Sequence, residues 1–278
     1  MPVLVTGAED ALGRAVVDQL RTSGGEVRAY LDATVAAETD ANELRAAGCK
    51  VALGELDDEG HLEAVLAQTH TVAHCWGGPL RDADDQLAAA ATVASAALGA
   101  GVRRLVWIRE LATGTDNAFL ATLGQIDELF GDLPIETVTL ATAVRHGRHD
   151  ALTQRLADGW LADSGVDLAA VHAPIGIADV ARAVAVADRQ RGALSELRVR
   201  MVLIGPERMT LGTFLRRLRL AASTLSDRDG AGTAQDATEP PAWLVDWLSR
   251  PAVEPPDAAD AATVVARGTT RLPPPGSG

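Results

Sequence analysis

Apolar positions along the first 140 residues follow two alternating rhythms. Short, mainly apolar or β-branched runs at 3–5, 27–32, 51–53, 71–76, 104–108 and 135–140 have the length and composition of strands. Between them, apolar residues recur three and four apart and predict helices over 11–20, 36–47, 56–68, 87–98 and 118–130. Strands alternating with helices of this length require crossover connections. The pattern therefore predicts an α/β fold, a doubly wound parallel sheet filling residues 1–140.

Beyond residue 140 the rhythm loosens. Helices are expected over 151–161, 177–188 and 211–220, with strands over 166–172 and 197–204. These elements would cap the carboxyl ends of the strands as a small C-terminal substrate-side lobe, where ligands of open α/β sheets bind. Residues 1–222 thus read as one domain, with capping elements from about 145 onward. Residues 223–240, rich in Ser, Asp, Gly and Thr, read as a linker. In 241–278 a short helix near 242–248 puts Trp243 and Trp247 on one face, followed by an irregular Pro/Ala-rich tail.

The first strand-turn-helix carries the clearest chemistry. Thr6-Gly7-Ala8-Glu9-Asp10-Ala11-Leu12-Gly13 puts glycine where the turn is tight and where helix packs on strand. Helix N-terminal amides at such a turn can hold a pyrophosphate. The middle position of a Gly-x-x-Gly-x-x-Gly pattern is occupied by Asp10, a carboxylate where phosphate would approach. Strand two ends in Asp32, an acid placed to accept ribose hydroxyls and to repel a 2′-phosphate, which favours NAD over NADP.

Five segments carry a family resemblance: Val3 to Ala8 with Leu12-Gly13-Arg14; Gly54-Glu55-Leu56-Asp57-Asp58; Val102 to Trp107; Ile177 to Ala183; and Gly205 to Leu211. In order and spacing the chain resembles the atypical and extended short-chain dehydrogenase/reductases, especially NmrA-like NAD(P)-binding Rossmann proteins, over residues 1 to about 222. The resemblance implies a dinucleotide held by Thr6, Gly7, Ala8, Asp10, Ala11, Leu12, Gly13 and Asp32. It also implies adenine beside Glu55 and Leu56, with Trp76 and Gly77 along the ribose and pyrophosphate. The family usually has Gly where Asp10 stands, and NmrA-like members often have Arg where Asp32 stands.

Composition narrows the field. The 278 residues are 47% apolar and 3% aromatic, enough for one large core, and the net charge is −13. Scattered arginines on an acidic chain argue against nucleic acid as a partner. Apolar runs fall short of the roughly 20 residues of a membrane span. The first strand starts at Val3 with no signal peptide before it, so the expected location is the cytoplasm. Cys49 and Cys75 read as reduced core thiols, and the dispersed histidines suggest no metal site.

The usual mechanism of the resembled superfamily needs a Tyr with a Lys four residues later. This chain has one Tyr, Tyr30, and one Lys, Lys50, so no Tyr-x-x-x-Lys pair exists. The helix expected to carry it has Phe119 and Leu123 at the two places. Weak substitutes are His146 and His149 as acid-base groups and Arg109 as an anion holder. Three functions stay open: an NAD(P) binder acting as regulator or redox sensor through a protein partner or a second copy; an oxidoreductase or isomerase with substitute groups; and a structural subunit without nucleotide.

Overall fold

The computed structural model describes residues 2–111, 117–190, 197–226, 239–250, 263–269 and 272. Its first half follows the sequence rhythm. Strands β1 (Val3–Thr6), β2 (Val27–Asp32), β3 (Lys50–Gly54), β4 (Thr71–His74), β5 (Arg104–Glu110) and β6 (Glu136–Thr142) alternate with five helices. These are α1 (Ala11–Thr22), α2 (Glu38–Ala46), α3 (Glu59–Leu66), α4 (Ala83–Gly99) and α5 (Ala118–Gly131). Asp58, Asp82 and Asn117 cap α3, α4 and α5 by accepting backbone N–H bonds, as acids and amides at helix starts do.

The second half interleaves small pairs with helices. These are β7 (Arg145–His146), α6 (Ala151–Ala157), β8 (Val171–His172), β9 (Ile175–Gly176), α7 (Ile177–Arg189), β10 (Arg198–Ile204), β11 (Met209–Thr210) and α8 (Leu211–Ser226). The chain continues with α9 (Ala242–Ser249) and β12 (Thr263–Arg267). The main sheet has eight strands in the order β12-β10-β6-β5-β4-β1-β2-β3, and every pairing in it is parallel. β1 lies between β2 and β4, so the chain winds outward on one side and then resumes on the other. That reversal opens a crevice at the carboxyl ends of β1 and β4.

Every residue of β1, β4 and β5 is buried, on both faces of the sheet, which explains why these central strands are mainly apolar. One core packs α1, α2 and α7 against the sheet through Val16, Leu20, Leu44 and Val180. The other packs α3, α4 and α5, and also includes Phe214 of α8 and Leu244 and Trp247 of α9.

Three expectations change. The strand expected over 166–172 shrinks to Val171–His172, paired antiparallel with β11. Helix α8 extends to Ser226, into the expected linker, of which 227–238 lie outside the described residues. The tail expected to be irregular contains β12, which extends the sheet beside β10 in a register from Arg200↔Thr263 to Ile204↔Arg267. A Thr-Val-Val run has the β-branched content to take an edge, but its Pro/Ala-rich surroundings mask it.

Candidate functional site

The fingerprint turn has the backbone its glycines predict. Gly7 adopts φ +71°, and a Cβ there would come within 2.7 Å of the Trp76 backbone. A Cβ on Gly13 would lie 2.0 Å from the Gly7 carbonyl oxygen. No side chain fits at either place, so β1, α1 and the β4 exit meet backbone to backbone. Thr6 is fully buried and its Oγ1 bonds His74 Nδ1 at 2.8 Å, so its hydroxyl faces the core. His74 is itself buried, and burial pushes its pKa down to about 4.

Asp10 is the N-cap of α1, but its carboxylate caps nothing. The sequence sets it where a pyrophosphate would approach. It instead accepts a hydrogen bond from Arg81 at 2.7 Å, while Arg14 pairs with Asp40 at 3.1 Å and Glu43 at 3.5 Å. Arg81 also reaches Glu9 at 3.4 Å and stands 4.5 Å over the Trp76 ring. Glu9 was missed by the sequence reading because its position in the turn carries no fingerprint requirement. Its side chain is 5% exposed, and burial lifts its pKa to about 7 despite the Asp32 backbone amide and the Arg81 charge.

Asp32 ends β2 at the crevice, as expected. Its Oδ1 accepts from the Thr34 amide and hydroxyl, and its Oδ2 accepts from Trp76 Nε1 at 3.2 Å. Leu56 is buried and Glu55 exposed; the Glu55 carbonyl accepts the Tyr30 hydroxyl at 3.0 Å. Tyr30 is wholly buried in β2, and Lys50 is exposed in an ion pair with Glu26. Gly77 has φ +136°, and Gly78 is held by Gln86 through both its N–H and its carbonyl.

Beyond the carboxyl ends of β5 and β6, Glu110 and Arg145 form a buried ion pair of 2.7 Å. With Pro79, Asp150 and Trp247 they line a cavity of about 20 Å³, room for about one water. The Trp247 indole of α9 donates to the Leu111 carbonyl at 3.0 Å, and Trp243 stacks on Phe119 at 3.9 Å. Phe119 and Leu123 of α5 are buried. The proposed substitutes do not converge. Arg109 is buried and paired with Asp127 of α5, His146 is buried against Phe214, and His149 is exposed at φ +65°. Arg109 alternates on β5 with Glu110, which is why one faces α5 and the other the cavity.

Among the described residues, no cluster of three or more His, Cys, Asp or Glu could hold a metal ion. Among them, too, no helix is long and apolar enough to cross a membrane.

Comparison with known proteins agrees with this architecture. The fold resembles the UDP-glucose 4-epimerase of Thermus thermophilus, solved with NAD (TM-score 0.63, 16% identity, 89% of this chain and 99% of that one). It also resembles the Bordetella bronchiseptica enzyme WbmG, solved with NAD (TM-score 0.61, 16% identity, 92% and 90%). A third similar structure is a nucleoside-diphosphate-sugar epimerase of Pseudomonas aeruginosa (TM-score 0.62, 14% identity, 90% and 95%). No curated protein matches the sequence. Residues 2–115 match the NmrA-like family, which bears out the resemblance read from the sequence over that stretch, and the solved structures share the Rossmann-like α/β fold.

Proposed function

We propose that the chain binds NAD(H) in the crevice above β1 and β4 and acts as a non-classical, regulatory or redox-sensing member of its family rather than through the Tyr-Lys mechanism. The observation that carries this reading is the Gly7–Gly13 turn packed against the β4 exit, with Asp32 at the tip of β2. Two of the structural neighbours were solved with NAD, which supports the same ligand class. Gly7, Gly13 and the α1 amides suit the pyrophosphate, and Asp32 suits the ribose once Trp76 leaves it. A bound nicotinamide would supply hydride chemistry. This chain offers no Tyr-Lys proton relay to couple to it, since its one Tyr and one Lys are Tyr30 and Lys50, and the helix positions expected to carry the pair hold the buried Phe119 and Leu123.

Glu9, Asp10 and Asp32 bring three carboxyl groups to one end of the crevice, with Arg81 the cation bound to two of them. A 2′-phosphate adds further negative charge there, so NAD(H) is preferred over NADP(H). Isothermal titration with NADH and NADPH tests this. NADH is expected to bind more tightly, Asp32→Ala to weaken NADH more than NADPH, and NAD(P)H-dependent reduction of simple carbonyls to stay undetectable. Tight NADPH binding with no effect of Asp32→Ala would overturn the preference, and robust turnover would overturn the non-classical reading.

A further inference from the structure

Four side chains close a ring of contacts across the crevice. Trp76 Nε1 donates to Asp32 Oδ2 at 3.2 Å, and the Arg81 guanidinium lies 4.5 Å from the centre of the Trp76 ring. Arg81 reaches Glu9 Oε1 at 3.4 Å and Asp10 Oδ2 at 2.7 Å, and Glu9 Oε2 accepts the Asp32 backbone N–H at 3.3 Å. The circuit runs Asp32–Trp76–Arg81–Glu9 and back to Asp32, joining the ends of β1, β2 and β4. With Thr34 donating twice to Oδ1, Asp32 already holds three donors on about four lone-pair sites. A ribose that presents two hydroxyls needs two acceptor positions, and while the indole is on it the carboxylate has about one left.

We propose that Trp76 and Arg81 are a side-chain latch, which keeps Asp32 covered until a nucleotide displaces the indole. This rests on the NAD(H) reading above and adds its regulation. The moving parts are side chains, because the backbone beneath them is fixed. Gln86 Oε1 accepts Gly78 N–H at 3.0 Å, and Gln86 Nε2 donates to the carbonyls of Gly78, Arg81 and Asp82. Gln86 itself is buried, and a Cβ on Gly77 would lie 2.9 Å from its Oε1. Trp76 is half-buried, and the Arg81 and Asp10 side chains are 19% and 46% exposed, so the indole and guanidinium can swing outward without disturbing the core. A protein whose competent state is only fractionally populated binds its ligand more weakly by that fraction.

Trp76→Phe keeps the ring under Arg81 and removes the N–H that holds Asp32. It should tighten NADH binding about tenfold, or about 1.4 kcal/mol. A second measurement needs no ligand: exchange of the Trp76 indole N–H with water, followed by NMR and assigned by the peak lost in Trp76→Phe. It should be roughly tenfold faster in Arg81→Gln than in the wild type. An unchanged exchange rate, or NADH binding that Trp76→Phe leaves equal or weaker, overturns the latch. If neither protein binds NADH, the NAD(H) reading falls, and the exchange rate decides the indole–carboxylate closure on its own.

Discussion

Glu9 shows how burial and charge compete at a single residue. Its carboxyl is lifted from 4.5 to about 7, first by burial, with the nearby Asp10 charge acting in the same direction and Arg81 against it. A folded-state pKa above the unfolded one means that the native protein holds the proton more tightly. The associated stability is therefore fully present below about pH 4.5 and is lost as pH rises through 7. Glu9→Gln removes this dependence. Relative to wild type, the variant should gain stability between about pH 5 and about pH 8, by up to about 3 kcal/mol at roughly 1.36 kcal/mol per pKa unit. Denaturant melts of both proteins at the two pH values check it, and a difference independent of pH would mean that Glu9 ionises normally.

At the scale of elements, α9 packs beside the carboxyl end of β5 and the start of α5. Its two tryptophans are four residues apart and therefore lie on one face, where Trp243 stacks on Phe119 and Trp247 reaches the Leu111 carbonyl. Trp247 is 3% exposed. Trp247→Ala leaves a large cavity and an unsatisfied carbonyl, so it should cost about 3–5 kcal/mol, read as a lower denaturation midpoint. A loss below about 1 kcal/mol would mean that α9 is only loosely docked. β12 takes the sheet edge beside β10, and Thr269 just after it bonds the buried Asp179 of α7, which also pairs with Arg182.

In the whole molecule, the two ends of the sheet have different tasks. The carboxyl ends of β1, β2 and β4 hold the crevice and its acidic groups. At the opposite end Arg104, wholly buried, pairs with Glu136 and donates to the Gln190 carbonyl at 3.0 Å, tying β5 and β6 to the end of α7. It also donates to the Ala187 carbonyl, while Asp188 of α7 accepts from Thr71 of β4 at 2.7 Å. Removing Arg104 takes this donor from the partly buried Glu136 carboxylate and from the Ala187 and Gln190 carbonyls. Arg104→Ala should therefore cost about 3–5 kcal/mol, or roughly 10 °C in Tm for a chain of this size. NADH affinity measured below that Tm should not change. An affinity loss matching the stability loss would show that the two ends are coupled.

The alternation of strands and helices, the glycine turn at the first crossover and the absence of a Tyr-Lys pair were all legible in the chain alone. Strand and helix periods are local, Gly7 and Gly13 are demanded by backbone contact, and an inventory with one Tyr and one Lys needs no coordinates. The docking of α9 was legible for the same reason, since two tryptophans on one helical face must bury somewhere. The directions of polar side chains were not legible. Asp10 meets an arginine 71 positions away, and Asp32 an indole 44 away, pairings set by which strand ends the sheet order brings together. His146 and Arg109 were plausible by position after strands, yet the alternation of strand faces and the packing of α5 and α8 turned them into the core. That the crevice closes on itself emerged with the tertiary fold, because closure depends on the burial and mutual neutralisation of groups that no local pattern relates.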